Sequence, residues 1–150
     1  MGGPEQIDVL HVDDEASFTE LLAAFFEQET DIEVRSETDP EAALDVLGDA
    51  DIDCVVSDYQ MPTMDGLEFY RQVRRSHDDL PFVLFTGHGT EELAAEAVNL
   101  GVDGYFRKDA DTGQYPALAH HVRTVVKAHR DDVDAESPSR ADDGPPATGG

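Results

Sequence analysis

Basic residues are scarce in this 150-residue chain: two lysines, Lys108 and Lys127, and eight arginines stand against 34 carboxylates, for a net charge of −24 at pH 7. Binding a nucleic acid requires Lys and Arg to displace the condensed counterions of a polyanion, and no stretch of the chain concentrates them, so no nucleic acid is expected to bind through it. An anionic membrane surface is disfavoured for the same reason. Cysteine occurs once, at Cys54, which rules out an internal disulfide and suits a small apolar group in a core. No apolar run approaches the roughly 20 residues a membrane helix needs. The N-terminus has neither the basic nor the apolar region of an export signal. A soluble, cytoplasmic protein is expected.

What is abundant is carboxylate, with 21 Asp against 13 Glu. Such a surface repels itself in dilute buffer and tolerates concentrated salt, where the Debye length falls to about 3 Å at 1 M. A halophilic cytoplasm is expected from this composition. Leu, Ile, Val and Phe still make up 35 of the 150 residues, enough to build a core in so acidic a chain. Residues 131–150 carry six acids, three Pro and three Gly with Val133 as their one sizeable apolar group. They read as a disordered acidic tail or linker, and residues 1–5 as a short extension, leaving 6–130 as the domain.

Within 6–130 short apolar runs alternate with segments of helical period. Ile7–Val12, Cys54–Val56, Phe82–Phe85 and Gly104–Phe106 read as buried strands, and Glu33–Glu37 as a weaker one at an edge. The spacing Ser17-Phe18-Thr19-Glu20 predicts a capping box ahead of Leu21, Leu22, Phe25 and Phe26. Asp39-Pro40 opens a second helix that Gly48 is expected to close. Helices follow over Leu67–Arg75 and Glu91–Leu100, the latter stopped by Gly101. The last is expected over Pro116–His129, with Tyr115, Leu118, Val122, Val125 and Val126 on one face. Five such units make an α/β domain, a doubly wound (βα)5 fold whose five strands are parallel and whose ligands bind beyond the strands' carboxyl ends.

Polar residues gather at that edge. Asp13 and Asp14 end the first strand, Asp58 the third, Thr86 the fourth, and Lys108 lies just past the fifth. Converging carboxylates raise one another's pKa unless a cation is present. An all-oxygen set with few carboxylates suits Mg²⁺, which keeps part of its water shell and shares its site with phosphate oxygens. Lys108 and Thr86 would supply a positive charge and a hydroxyl donor for a tetrahedral oxyanion.

Val12-Asp13-Asp14-Glu15, Ser57-Asp58-Tyr59-Gln60-Met61-Pro62 with Met64-Asp65-Gly66, Phe85-Thr86-Gly87 and Gly104-Tyr105-Phe106-Arg107-Lys108, in that order, resemble the response-regulator receiver domain (CheY-like) of two-component signalling. The likeness covers residues 6–130. It implies a flavodoxin-like sheet in order 2-1-3-4-5 and assigns Asp58 as phosphoacceptor. Asp13, Asp14, Asp58 and the backbone carbonyl of Gln60 fall on the Mg²⁺ ligands, and Thr86, Lys108 and Tyr105 on the phosphate-binding and switch positions. Gln60 and His88 fall where the family tunes acyl-phosphate lifetime. Gly66 is expected to serve a turn. One departure is visible: the family carries a cis Lys-Pro, whereas Asp109 follows Lys108. A cis bond there would cost about 3–4 kcal/mol, so a trans peptide is expected.

The resemblance further implies a histidine kinase as phosphodonor and a change of protein partner as output. The output partner itself is not encoded in the motifs. A dimer through the fourth helix, fifth strand and fifth helix is a further arrangement it implies. The chain would be no enzyme beyond catalysing its own phosphorylation and dephosphorylation. It would stand alone or form the receiver portion of a longer hybrid kinase or regulator. A reading from another class is a Mg²⁺-dependent phosphatase with an aspartyl nucleophile, but such enzymes space two aspartates one residue apart on one strand end, whereas Asp13 and Asp14 are adjacent. The six histidines form no ligand cluster: His120 and His121 are neighbours on a helix and point about 100° apart.

Overall fold

The β-branched and aromatic runs of the sequence form five parallel strands, each followed by a helix. The structure, a computed structural model, describes residues 6–29, 31–87, 90–108 and 114–142, with side chains through Asp131. In chain order the elements are β1 (Ile7–Val12), α1 (Ala16–Phe26), β2 (Ile32–Glu37), α2 (Pro40–Asp49), β3 (Cys54–Ser57), α3 (Gly66–Ser76), β4 (Phe82–Thr86), α4 (Glu91–Leu100), β5 (Gly104–Arg107) and α5 (Gln114–Asp142). The sheet runs β2-β1-β3-β4-β5, as the resemblance implied. The strand order reverses between β1 and β3, so a crevice opens beyond their carboxyl ends.

Side-chain alternation divides the core into two layers. Leu10, Val12, Val55, Phe82 and Leu84 face one side of the sheet, against Val46, Leu67, Phe69, Val73 and Leu93 of α2, α3 and α4. Val9, Cys54, Val56, Val83 and Phe85 face the other, against Leu22 and Phe26 of α1 and Leu118, Val122 and Val126 of α5. Covering on both faces explains why β3 and β4 are buried throughout. β2 is an edge strand with Glu33, Arg35 and Ser36 exposed, which is why its apolar signal was weak. β5 is the opposite edge, and none of its residues is fully buried.

Helix boundaries show what local pattern omits. The capping box at Ser17 does not form. α1 begins at Ala16 with Glu15 at its N-cap and no side-chain cap, because Asp13 Oδ1 accepts the Glu15 N–H at 2.9 Å and starts the turn two residues earlier. Asp39 does cap α2, accepting from the Glu41 N–H with Pro40 at the first turn. Gly48 does not close that helix, which runs to Asp49 with Ala50 as C-cap. Gly101 ends α4 in the left-handed region at φ 100°, a conformation open to glycine.

α5 departs most from expectation. Its backbone is helical from Gln114 to Asp142, so residues 131–142, expected as an unstructured tail, continue the helix, while 143–150 lie outside the described residues. Low apolar content measures what a segment can bury. It does not prevent a helix already nucleated by packing at Tyr115–Val126 from propagating at one hydrogen bond per residue.

Candidate functional site

The parallel register brings the polar strand ends together. Asp13 N–H donates to the Glu37 carbonyl at 3.1 Å, Asp58 N–H to Val12 at 2.9 Å, and Lys108 N–H to Thr86 at 2.9 Å. The ladder thus continues one residue past the strands and holds the backbone beneath the Asp13, Asp58 and Lys108 side chains.

Asp13 and Asp58 are buried and Asp14 is exposed. One oxygen from each of the three lies within 4.8 Å of the others, the one group of three metal-competent side chains among the described residues. Both oxygens of Asp13 are engaged, Oδ1 by the Glu15 N–H and Oδ2 by Lys108 Nζ. Asp58 Oδ1 accepts the Tyr59 N–H at 2.7 Å, and its Oδ2 lies 3.3 Å from Lys108 Nζ. Burial pushes the Asp13 carboxyl above the usual carboxylate range and the Asp58 charge adds to this, while the bond from Lys108 opposes it. Three carboxylates and one ammonium leave an excess of two negative charges in all-oxygen surroundings. That donor set fits a hard divalent cation that keeps several of its waters.

Beside this cluster opens a cleft of about 620 Å³, lined among others by Asp14, Asp58, Gln60, Gly87 and Lys108. Gln60 stands exposed at its rim. Thr86 is fully buried at the end of β4. Tyr105 pairs in register with Leu84 and is half-buried, with its hydroxyl buried and lacking a hydrogen-bond partner. His88 and Asp109, and with it the Lys108–Asp109 peptide bond, lie outside the described residues. His121 turns its ring to the Asp103 carbonyl at 2.8 Å and to Phe106.

Gly66 serves a different purpose from the turn expected of it. It is the first residue of α3, capped by Asp65, and its N–H donates to the Tyr59 carbonyl at 2.6 Å. A Cβ at Gly66 would run into the Asp58 carbonyl oxygen and the Tyr59 backbone. Glycine is required here because the start of α3 packs directly on the backbone of Asp58.

Two residues beside the site were missed by the sequence reading. His11 is fully buried, and neither ring nitrogen has a hydrogen-bond partner. Desolvation, with Lys108 adding, pushes its imidazole down to about 3. Phe18, in the first turn of α1, lies with its ring centroid 4.0 Å from Lys108 Nζ. The only sequence cue to it was its place four residues after Asp14, a spacing equally expected of a core residue.

The model of the response regulator receiver domain matches residues 9–120. The chain is 32% identical over 107 residues to the transcriptional regulatory protein FixJ of Bradyrhizobium diazoefficiens, covering 71% of this chain and 52% of FixJ. It is similar to the crystal structure of NtrX from Brucella abortus at 27% identity and a TM-score of 0.77, covering 87% of this chain and 30% of that one. A receiver domain from Clostridium thermocellum shares the fold at a TM-score of 0.75 and 21% identity, over 83% of this chain and 97% of that one. The chain spans about a quarter to a half of the length of the curated relatives it matches. Fold, converging strand ends and a match across most of the domain together place this chain in the response regulator receiver domain family.

Proposed function

We propose that Asp58 is the phosphoacceptor of this receiver domain, taking a phosphoryl group from the phosphohistidine of a histidine kinase. The observation that carries the reading is the placement of Lys108 Nζ against both Asp13 and Asp58, 3.3 Å from Asp58 Oδ2, at the mouth of an acidic cleft. In the transfer a carboxylate oxygen of Asp58 forms the new O–P bond as the N–P bond breaks, and the departing imidazole nitrogen keeps that electron pair. Asp13, Asp14 and Asp58, with the backbone carbonyl of Gln60, would hold Mg²⁺, whose charge offsets that of the phosphoryl oxygens when bound. Lys108 exchanges its carboxylate partners for a phosphoryl oxygen, and the Thr86 hydroxyl donates to another.

Tyr105 is the switch aromatic in this reading. Its buried hydroxyl without a partner costs free energy in the present arrangement and favours a second packing in which it is bonded. The surface formed by α4, β5 and α5 then changes its preference for a protein partner or a second copy. Gln60 and His88 tune the lifetime of the acyl phosphate. Residues 6–130 form the receiver unit, and 131–150 join it to whatever follows or remain a free end. A cytoplasmic setting, typical of response regulators, belongs to the same reading; no helix among the described residues is long and apolar enough to cross a membrane.

Incubation with acetyl phosphate, read by intact mass, tests the reading. One phosphoryl group should appear with Mg²⁺, fail to appear when a chelator is present from the start, and be absent from Asp58→Asn. Equal modification of Asp58→Asn would overturn the assignment.

A further inference from the structure

Phe18 is a large aromatic that neither core uses. It is half-buried, stands apart from both apolar clusters of described residues, and faces the cleft. Lys108 Nζ lies 4.0 Å from the centroid of its ring and 5.9 Å from that of the buried Phe85. An ammonium over an aromatic face within about 6 Å is held by the ring quadrupole, more strongly where water is excluded. The Lys108 side chain is almost fully covered, at 6% exposure.

A lysine is a point charge on a flexible four-carbon stem, so its head goes where the surroundings hold it. Here the carboxylates of Asp13 and Asp58 pull Nζ from one side and the Phe18 ring bounds it on another. Phe18 is itself registered to the site. Its N–H donates to the Glu15 carbonyl at 3.0 Å, and the Glu15 N–H donates to Asp13 Oδ1. The contacts close a circuit from Asp13 through Glu15 and Phe18 to Lys108 and back to Asp13.

We infer that Phe18 is a positioning residue for Lys108, its ring face holding the ammonium in the gap between Asp13 and Asp58 where a phosphoryl oxygen must be met. The inference rests on the proposed role of Lys108 as the phosphoryl-binding cation. It predicts a selective effect. Removing the ring face leaves the carboxylate cluster intact, so Mg²⁺ affinity stays constant while the response to a phosphoryl group weakens. Tyr or Trp in its place restores that response because each keeps an aromatic face, whereas Leu keeps apolar bulk without one.

The test compares wild type, Phe18→Leu, Phe18→Tyr and Phe18→Trp, each alone and combined with Lys108→Ala. Mg²⁺ affinity is measured calorimetrically, and beryllofluoride binding and the rate with acetyl phosphate are followed in saturating Mg²⁺. Phe18→Leu should lose about threefold to thirtyfold in beryllofluoride affinity and acetyl phosphate rate, the range of a cation–π contact. Its Mg²⁺ affinity should be unchanged, Tyr or Trp should recover most of the loss, and Leu should cost nothing further once Lys108 is Ala. In the ¹H spectrum the Lys108 ε-methylene should lose its ring-current shift in Phe18→Leu and keep it in Phe18→Tyr. Wild-type behaviour of Phe18→Leu, or an equal loss in the Lys108→Ala background, overturns the positioning role. Failure of wild type itself to bind beryllofluoride overturns the phosphoacceptor reading instead, so the two failures are distinct.

Discussion

Gly66 lies so close to Asp58 that no side chain fits between the first turn of α3 and the Asp58 carbonyl oxygen. Gly66→Ala must therefore push α3 or the Asp58 backbone aside. Overpacking of this kind costs about 1–3 kcal/mol. Urea denaturation should show that loss, and the acetyl phosphate rate, measured where the variant is still folded, should fall with it. A stable variant with full rate would mean that the loop after β3 yields freely.

His11 sits in β1 with both ring nitrogens buried and unpaired. Burial and the nearby Lys108 keep its imidazole neutral at pH 7, pushed down to about 3. A buried polar group without a partner costs about 1–3 kcal/mol. His11→Leu, of similar volume, should therefore raise the unfolding free energy at pH 7 by an amount within that range, read as a higher urea midpoint with an unchanged m-value. A lower midpoint would show that the imidazole is used.

Arg123 ties α5 to the turn before β2. Its Nε donates to Asp31 Oδ2 at 2.8 Å, and its NH2 group pairs with Glu29. The guanidinium holds the Asp31 carboxyl below its usual value, so as pH falls the unfolded chain takes up this proton first. The stabilisation is complete above about pH 4 and is lost as pH falls through the lower folded value. All three groups are about a third exposed, so solvent screening limits the effect. Arg123→Met should cost about 1 kcal/mol at pH 7 in low salt. The difference from wild type should narrow in thermal melts below about pH 4 and in molar KCl.

Net charge makes a prediction of its own. At −24 the folded state repels itself, and screening relieves that repulsion. The midpoint of thermal unfolding should rise steadily between about 0.1 M and about 2 M KCl. A flat or falling midpoint would refute the halophilic reading of the composition.

Alternation of apolar runs with helical periods announced the five βα units, because strand and helix periodicities are local and survive without any knowledge of partners. The site's carboxylates were legible for a related reason. A parallel sheet sends every carboxyl end to one edge, so Asp13, Asp14, Asp58, Thr86 and Lys108 could be placed together from their positions alone. Helix ends were less legible. Asp39 and Gly101 acted as their types suggest, whereas Ser17 was overridden by the Asp13 carboxylate and α5 ran past the point where its apolar face ended.

What the sequence by itself determined about this protein is the fold class, the family and the set of chemically useful residues at one sheet edge. Tertiary structure decided how they are used. The pairing of Lys108 with Asp13 spans 95 residues, the Phe18 ring of α1 meets Lys108 past the end of β5, and Gly66 is demanded by a carbonyl eight residues away. Each depends on side-chain direction and close approach between elements, which packing sets and local pattern does not encode.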